Sequence, residues 1–290
     1  GLGMDFPMVP RYATGMTATD RALVRHIHGL LYPFHTDPFN PCWSASSFPS
    51  RKIRNYVRGQ FVTGTTDQMG WVTASPAAAG DDVDFCRYTT GGAVAYDAWQ
   101  NASASLGSSS PYLSADFASP KLAFRNNVLG IRVRNITPML NRGGTLYSLR
   151  TPNNVDIYSS VGSSINAEIA NFEAIGCSRR EDTSGQKWNY VHWSPNDIYQ
   201  NEFTNGVGKT ADLNGSSMAR TIAFVAIAPV GFPQTYEYEG VCWSDVISAA
   251  RPGLNALQGT TINDTHPQVD RARAVITHLH TKAQTHPTHH

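Results

Sequence analysis

Residues 219–228 read Ala-Arg-Thr-Ile-Ala-Phe-Val-Ala-Ile-Ala, and residues 234–243 read Gln-Thr-Tyr-Glu-Tyr-Glu-Gly-Val-Cys-Trp. The first run is apolar at successive positions, as in a strand covered on both faces. The second alternates aromatic with acidic, the period of a half-exposed strand. Pro229, Gly231 and Pro233 stand between them, so the two runs are expected to form a hairpin within an all-β sandwich. No catalytic motif accompanies them, which points away from an enzyme.

Working outward, further strand patterns recur. Residues 52–63 place Ile53, Val57 and Phe61 on one side and Lys52, Arg54, Arg58 and Gln60 on the other. A short partner is expected at residues 70–73. Residues 128–137 set Leu129, Ile131 and Val133 against Arg132 and Arg134, the turn 141–144 follows, and residues 145–150 return. Residues 187–193 give another strand. Seven to nine strands with long loops make the inventory of a jelly roll rather than of a tight up-and-down barrel. Residues 97–120 and 151–186 are read as long surface segments, with a short helix near 164–175. Ahead of the strands, Leu23, Val24, Ile27, Leu30 and Leu31 fall at helical spacing after Thr19 and Asp20 as caps, and Pro33 ends that helix. A helical tail is expected over residues 267–284. The expected organisation is an N-terminal segment 1–50, a shell domain 51–250 and a tail 251–290.

A chain of 290 residues buries roughly three quarters of its unfolded surface and holds one large core. Charged residues make up only 16%, against a typical value of about 25%, which suits long polar loops and a surface covered by partners. The net charge is +1, far from the basic excess of a free-standing nucleic-acid binder. Cys42, Cys86, Cys177 and Cys242 lack paired spacing and read as buried thiols in a reducing compartment, with a disulfide as the alternative. No apolar run is long enough to span a membrane, and no signal-peptide pattern stands at Gly1.

Local motifs add little chemistry. Residues 204–210 imitate a phosphate loop, but Phe203 stands where that loop needs glycine. Asp81, Asp82 and Asp84 form an acidic loop that reads as a solvated turn or as a calcium site shared between subunits. His26 with His28, and His278 with His280, lack a third ligand at zinc spacing. Sequons at Asn101, Asn135, Asn214 and Asn263 read as coincidence. Lys52, Arg54, Arg58, Arg132 and Arg134 read either as ordinary solvated cations or as a wall that meets RNA phosphate without reading sequence.

Several segments then act together. They are Leu30-Leu-Tyr-Pro-Phe34, residues 37–41 (Asp-Pro-Phe-Asn-Pro), residues 58–65 (Arg-Gly-Gln-Phe-Val-Thr-Gly-Thr), Gly70-Trp-Val, residues 129–134 (Leu-Gly-Ile-Arg-Val-Arg), residues 142–150, and the stretch 229–243. In order and spacing the chain resembles the coat proteins of small icosahedral positive-strand RNA viruses of the nodavirus- and tombusvirus-like kind, over residues 20–245. The resemblance implies an eight-stranded antiparallel jelly roll: two four-stranded sheets with an N-terminal helix. It implies self-assembly in the virion, as about 180 copies in three quasi-equivalent environments, around genomic single-stranded RNA in the host cytoplasm. Its relatives usually bind RNA through a basic, disordered N-terminal arm, which this sequence does not show: either that arm was removed, or packaging uses the inner sheet edge and the early helix. Asn255-Ala256 matches a self-cleavage dipeptide of some relatives, with no carboxylate partner identified. Trp43, Trp71, Trp99 and Trp243 are expected either in the core or as anchors between subunits. A jelly-roll carbohydrate-binding module, stacking sugars on sheet aromatics, is the rival reading.

Overall fold

The computed structural model describes residues 16–35, 51–66, 68–76, 85–90, 100–101, 112, 116, 122–150, 178–181, 183, 186–195 and 221–248. The chain divides into two compact units. One comprises Gly1–Phe48 with Gly253–His290, and the other is Pro49–Pro252. The acidic loop at Asp81, Asp82 and Asp84, the helix expected near 164–175, and the C-terminal tail lie outside the described residues.

In the first unit the described element is helix α1, Ala18–Leu31. It begins one turn earlier than the apolar spacing implies. Thr17 is the N-cap: its Oγ1 accepts the Asp20 backbone N–H at 3.1 Å, and the Asp20 carboxylate accepts the Thr17 N–H at 3.2 Å. Two orphan donors of the first turn are thereby met, with Asp20 three residues inside the helix rather than capping it. Leu23 and Val24 are buried, while Arg21 and Arg25 are exposed. The helix stops at Tyr32, whose N–H reaches His28 O at 2.8 Å, because Pro33 has no N–H to continue the ladder.

The second unit holds ten strands among the described residues. They are β1 Arg51–Val62, β2 Met69–Ala74, β3 Cys86–Thr89, β4 Gln100–Asn101, β5 Leu122–Asn135, β6 Thr145–Arg150, β7 Ser178–Glu181, β8 Asn189–Trp193, β9 Ile222–Ile227 and β10 Thr235–Ser248. One sheet has the order β1-β10-β5-β8 and the other β4-β3-β2-β9-β6-β7, with every pairing antiparallel. Two four-stranded sheets, β1-β10-β5-β8 and β2-β9-β6-β7, make the eight-stranded jelly roll, and β3 and β4 widen the second.

The expected hairpins are absent. β9 and β10 lie in opposite sheets, as do β1 and β2, and β5 and β6. The reason lies in where the connectors send their hydrogen bonds. Ala228 N–H goes to Gln68 O at 2.7 Å, and Thr63 N–H goes to Gln234 O at 2.9 Å, so adjacent connectors bond each other. Pro229 and Pro233 offer no donors for a ladder. Crossing the sandwich lets consecutive strands bury their apolar faces against one shared core.

That core contains Val57, Phe61, Phe85, Leu129, Ile131, Phe224, Tyr236 and Tyr238, with Phe61 and Tyr236 stacked at 5.3 Å. β9 is covered on both faces, as its continuous apolar run requires. Ile222, Phe224 and Ala226 enter the core, while Ala223 and Val225 pack with Met69, Trp71 and Leu149 on the other side. Trp71, at 2% exposed, is thus buried inside its own subunit. Gly59 is required where Tyr238 crosses β1, since a Cβ there would collide with the phenol oxygen.

Candidate nucleic-acid interface

β10 is the second strand of its sheet, hydrogen-bonded to β1 on one side and β5 on the other. Its inward residues, Tyr236, Tyr238 and Cys242, belong to the core. The residues between them, Glu237 and Glu239, face outward, as does Asp245. The alternation expected of a half-exposed strand is present, but the carboxylates are not solvated: Glu237 is 4% exposed and Glu239 5%. Cations from both neighbouring strands cover them.

The register sets these partners. Arg132 stands opposite Glu239, Arg134 opposite Glu237 and Arg125 opposite Asp245 on the β5 side. On the β1 side, Lys52 stands opposite Asp245 and Arg58 opposite Glu239. Arg134 Nε donates to Glu237 Oε2 at 2.6 Å, and Arg58 Nε donates to Oε1 of the same carboxylate at 2.7 Å. Arg58 Nη2 also bonds that Oε1. Arg132 Nε donates to Glu239 Oε2 at 2.7 Å, with Arg58 Nε 3.8 Å from Oε1. Asp245 accepts Arg125 Nε and Nη2 at 3.2 and 3.1 Å and faces Lys52 Nζ at 3.4 Å. Burial alone would push Glu237 up. The hydrogen bonds from Arg58 and Arg134, and their charges, outweigh it and hold the carboxyl below its usual range.

Aromatic rings fill the gaps. Arg132 and Arg134 both lie over the Trp188 ring at 4.6 Å. Arg54 lies 4.7 Å from the Tyr56 ring and 5.6 Å from that of Trp243. The guanidiniums sit over π-faces, which limits their freedom and leaves those faces unavailable as bare sugar-stacking platforms. The carbohydrate-binding reading therefore has no support here. His192 stands on β8 of the same sheet. Burial, with the nearby Arg150 charge, pushes it down to about 4, so it adds no charge at neutral pH.

All five residues singled out in the sequence, Lys52, Arg54, Arg58, Arg132 and Arg134, lie on this one face. Arg125 joins them. Among the described residues the face carries these six cations against Glu237, Glu239 and Asp245, an excess of three positive charges. The carboxylates were the part missed. The signal was there in complementary form: Arg-x-Arg at 132–134 and Glu-x-Glu at 237–239 share the period of paired strands. Asn135, a sequon residue, is 1% exposed, and its amide bonds inside the fold. Among the described residues no cluster of three or more His, Cys, Asp or Glu is placed to hold a metal, and no helix is long and apolar enough to cross a membrane.

No family model matches the chain, and no curated protein matches it. Solved structures of viral capsids do. The decameric BFDV capsid protein is 9% identical, with 68% of this chain and 99% of that one covered and a TM-score of 0.37. The Macrobrachium rosenbergii nodavirus structure is 9% identical, covering 72% of this chain and 60% of that one, with a TM-score of 0.38. The mud crab tombus-like virus structure is 10% identical, covering 86% and 96%, with a TM-score of 0.35. With every one of these scores below 0.5, the assignment of a jelly roll rests on the strand order and registers of this chain.

Proposed function

We propose that this chain is the capsid protein of a small icosahedral positive-strand RNA virus of the nodavirus- or tombusvirus-like kind. It self-associates into a closed shell, about 180 copies in three quasi-equivalent environments, around single-stranded RNA. The observation that carries this reading is a jelly roll whose four-stranded sheet presents a rigid, net-positive outer face. Such a face meets phosphates by charge and reads no bases, as packaging of a long genome requires. The role is structural rather than catalytic. A shell subunit needs many weak, geometrically specified contacts, which closed symmetry multiplies.

The chain segments divide the work. Residues 51–250 form the shell domain. Residues 1–50, with α1 and its exposed Arg21 and Arg25, lie between subunits or at the inner surface, and residues 251–290 form a tail. Asp81, Asp82 and Asp84 are either a solvated acidic turn or a calcium site between subunits, and a thermal shift on calcium addition, reversed by chelator, would register the second. Assembly takes place in the host cytoplasm.

Negative-stain electron microscopy of the purified full chain, with its 260/280 nm absorbance ratio, tests the main reading. Uniform closed shells with RNA absorbance are expected. Monomers alone, across salt and pH, would overturn it. Arg132→Gln with Arg134→Gln cuts the excess on this face from three positive charges to one and should leave shells forming with a lower RNA content and a weaker salt dependence of that content, with circular dichroism as the folding control because each substitution removes a partner of a buried glutamate.

A further inference from the structure

Four connectors cross between the sheets at one end of the sandwich: β1–β2, β5–β6, β7–β8 and β9–β10. Among the described residues, two of them carry large apolar side chains into solvent. In the β5–β6 connector a single 3₁₀ turn, Met139–Asn141, leaves Met139 84% and Leu140 99% exposed. In the β9–β10 connector Val230 is 76% and Phe232 56% exposed. Buried polar residues support the tips from behind.

Their chief support is Gln234, wholly buried between the two turns. Its Oε1 accepts from Gly143 N at 3.0 Å and from Asn135 Nδ2 at 3.3 Å. Its Nε2 donates to Asn141 O at 2.8 Å and to Phe232 O at 2.9 Å. The Gln234 N–H reaches Thr63 Oγ1 at 2.8 Å, which ties in the β1–β2 connector as well. Arg142 fixes the β5–β6 turn by donating twice to Thr137 O, at 3.2 and 2.9 Å. Turns this well bonded keep their apolar tips in place without a partner, so little conformational freedom remains to be lost on docking.

Beside the tips lies an open cleft of about 680 Å³, lined by Met139, Arg142, Gly143, Gly144, Arg180, Glu181 and Thr183. Its lining combines two glycines with two arginines, a residue type whose long stem is apolar although its head is charged. A projection and a concavity therefore sit side by side at the same end.

We infer that this end is a contact between copies of this chain, in which the Leu140 and Phe232 tip of one subunit seats in the cleft of the next. Area decides the kind of contact. Four side chains on the order of 100 Å² each supply roughly 300–400 Å² of apolar surface. A stable free-standing interface needs about 800 Å² per partner. The patch is too small for a lasting dimer and suits a head-to-tail contact that gains strength only by closing around a rotation axis. This rests on the shell-forming reading above.

The test uses the full chain. Leu140→Asp with Phe232→Asp removes the apolar tip. Both side chains are exposed, so the Tm of the unassembled subunit should stay within error of the parent. Closed particles, counted by sedimentation and electron microscopy, should fall about tenfold or more, with free subunits in their place. In a second arm, Leu140→Cys chains are mixed with Thr183→Cys chains under mild oxidant, and a disulfide between the two is expected, without one from either variant alone. Full particle yield from the double Asp variant, or the absence of the mixed disulfide in assembled particles, would overturn the inference and leave the capsid reading standing. Parent chains that give neither particles nor mixed disulfide would overturn both.

Discussion

Replacing Gln234 with Ala should lower the stability of the unassembled subunit by about 3 kcal/mol, a figure that follows from which partners water can reach. The side chain makes four hydrogen bonds while fully buried. Asn141 and Phe232 are exposed residues, so water entering the vacated space can serve their carbonyls. Asn135 is buried and Gly143 half-buried, so their N–H groups are the ones left unmet. Each such group costs about 1–3 kcal/mol, and incomplete filling of the space adds to it. For a folded unit of this size each kcal/mol moves Tm by about 2–4 °C, so the transition should drop by roughly 6–12 °C. Circular dichroism melts, under conditions where subunits stay apart, read this directly. Gln234→Glu supplies a second reading. Its new carboxyl keeps the acceptor for Gly143 but turns the other oxygen toward two carbonyls. Burial and those carbonyls raise its folded-state pKa above the unfolded value of about 4.3. The folded protein then holds the proton more tightly, so the variant should lose stability as pH rises from 4 to 7. A drop under about 2 °C for Q234A, or the opposite pH trend for Q234E, would refute the account of Gln234 as the tie between connectors.

Other outcomes follow from the same geometry. Glu237 has a depressed folded-state pKa, so its contribution is present above the unfolded carboxylate pKa and is lost as pH falls through the folded value. Urea midpoints should show Glu237→Gln weaker by about 2 kcal/mol at pH 7, less than for a fully buried pair because Arg58 stands half in water, with the two curves converging toward pH 3. Gly144→Ala places a side chain on backbone at φ +82° and drives its Cβ into the Ile227 carbonyl, so soluble yield should collapse, whereas Gly231→Ala, at φ +77° in open space, should only lower Tm modestly. Thr17→Ala removes the α1 cap and should speed hydrogen exchange at residues 18–21, with a loss of about 1 kcal/mol in local opening.

Much of the core was legible because burial writes itself into residue period. Ile53, Val57 and Phe61 announce the inner face of β1, and the unbroken apolar run of β9 announces a strand covered on both sides. The short strands β3, β4 and β7 did not show. They span four, two and four residues, and β4 and β7 lie at the edges of their sheet, too brief for any period to emerge. The start of α1 was misplaced because reciprocal capping by Thr17 and Asp20 extends the helix one turn beyond its apolar stripe. Within the candidate interface, the cations were visible individually. Their pairing was not, since Arg132 and Glu239 are 107 residues apart in the chain.

The sequence by itself determined which residues face inward, that the fold is a two-layer β sandwich, and which side chains could carry charge. Each follows from local alternation, which any strand obeys whatever its neighbours. Only the tertiary structure decided that consecutive strands part company. β9 and β10 cross to opposite sheets because the two ends of their connector, Ala228 and Gln234, bond to the β1–β2 connector at Gln68 and Thr63 rather than to each other, and that preference belongs to contacts across more than 150 residues of chain. The same crossing places β10 between β1 and β5, turning six scattered cations and three carboxylates into one paired and net-positive face.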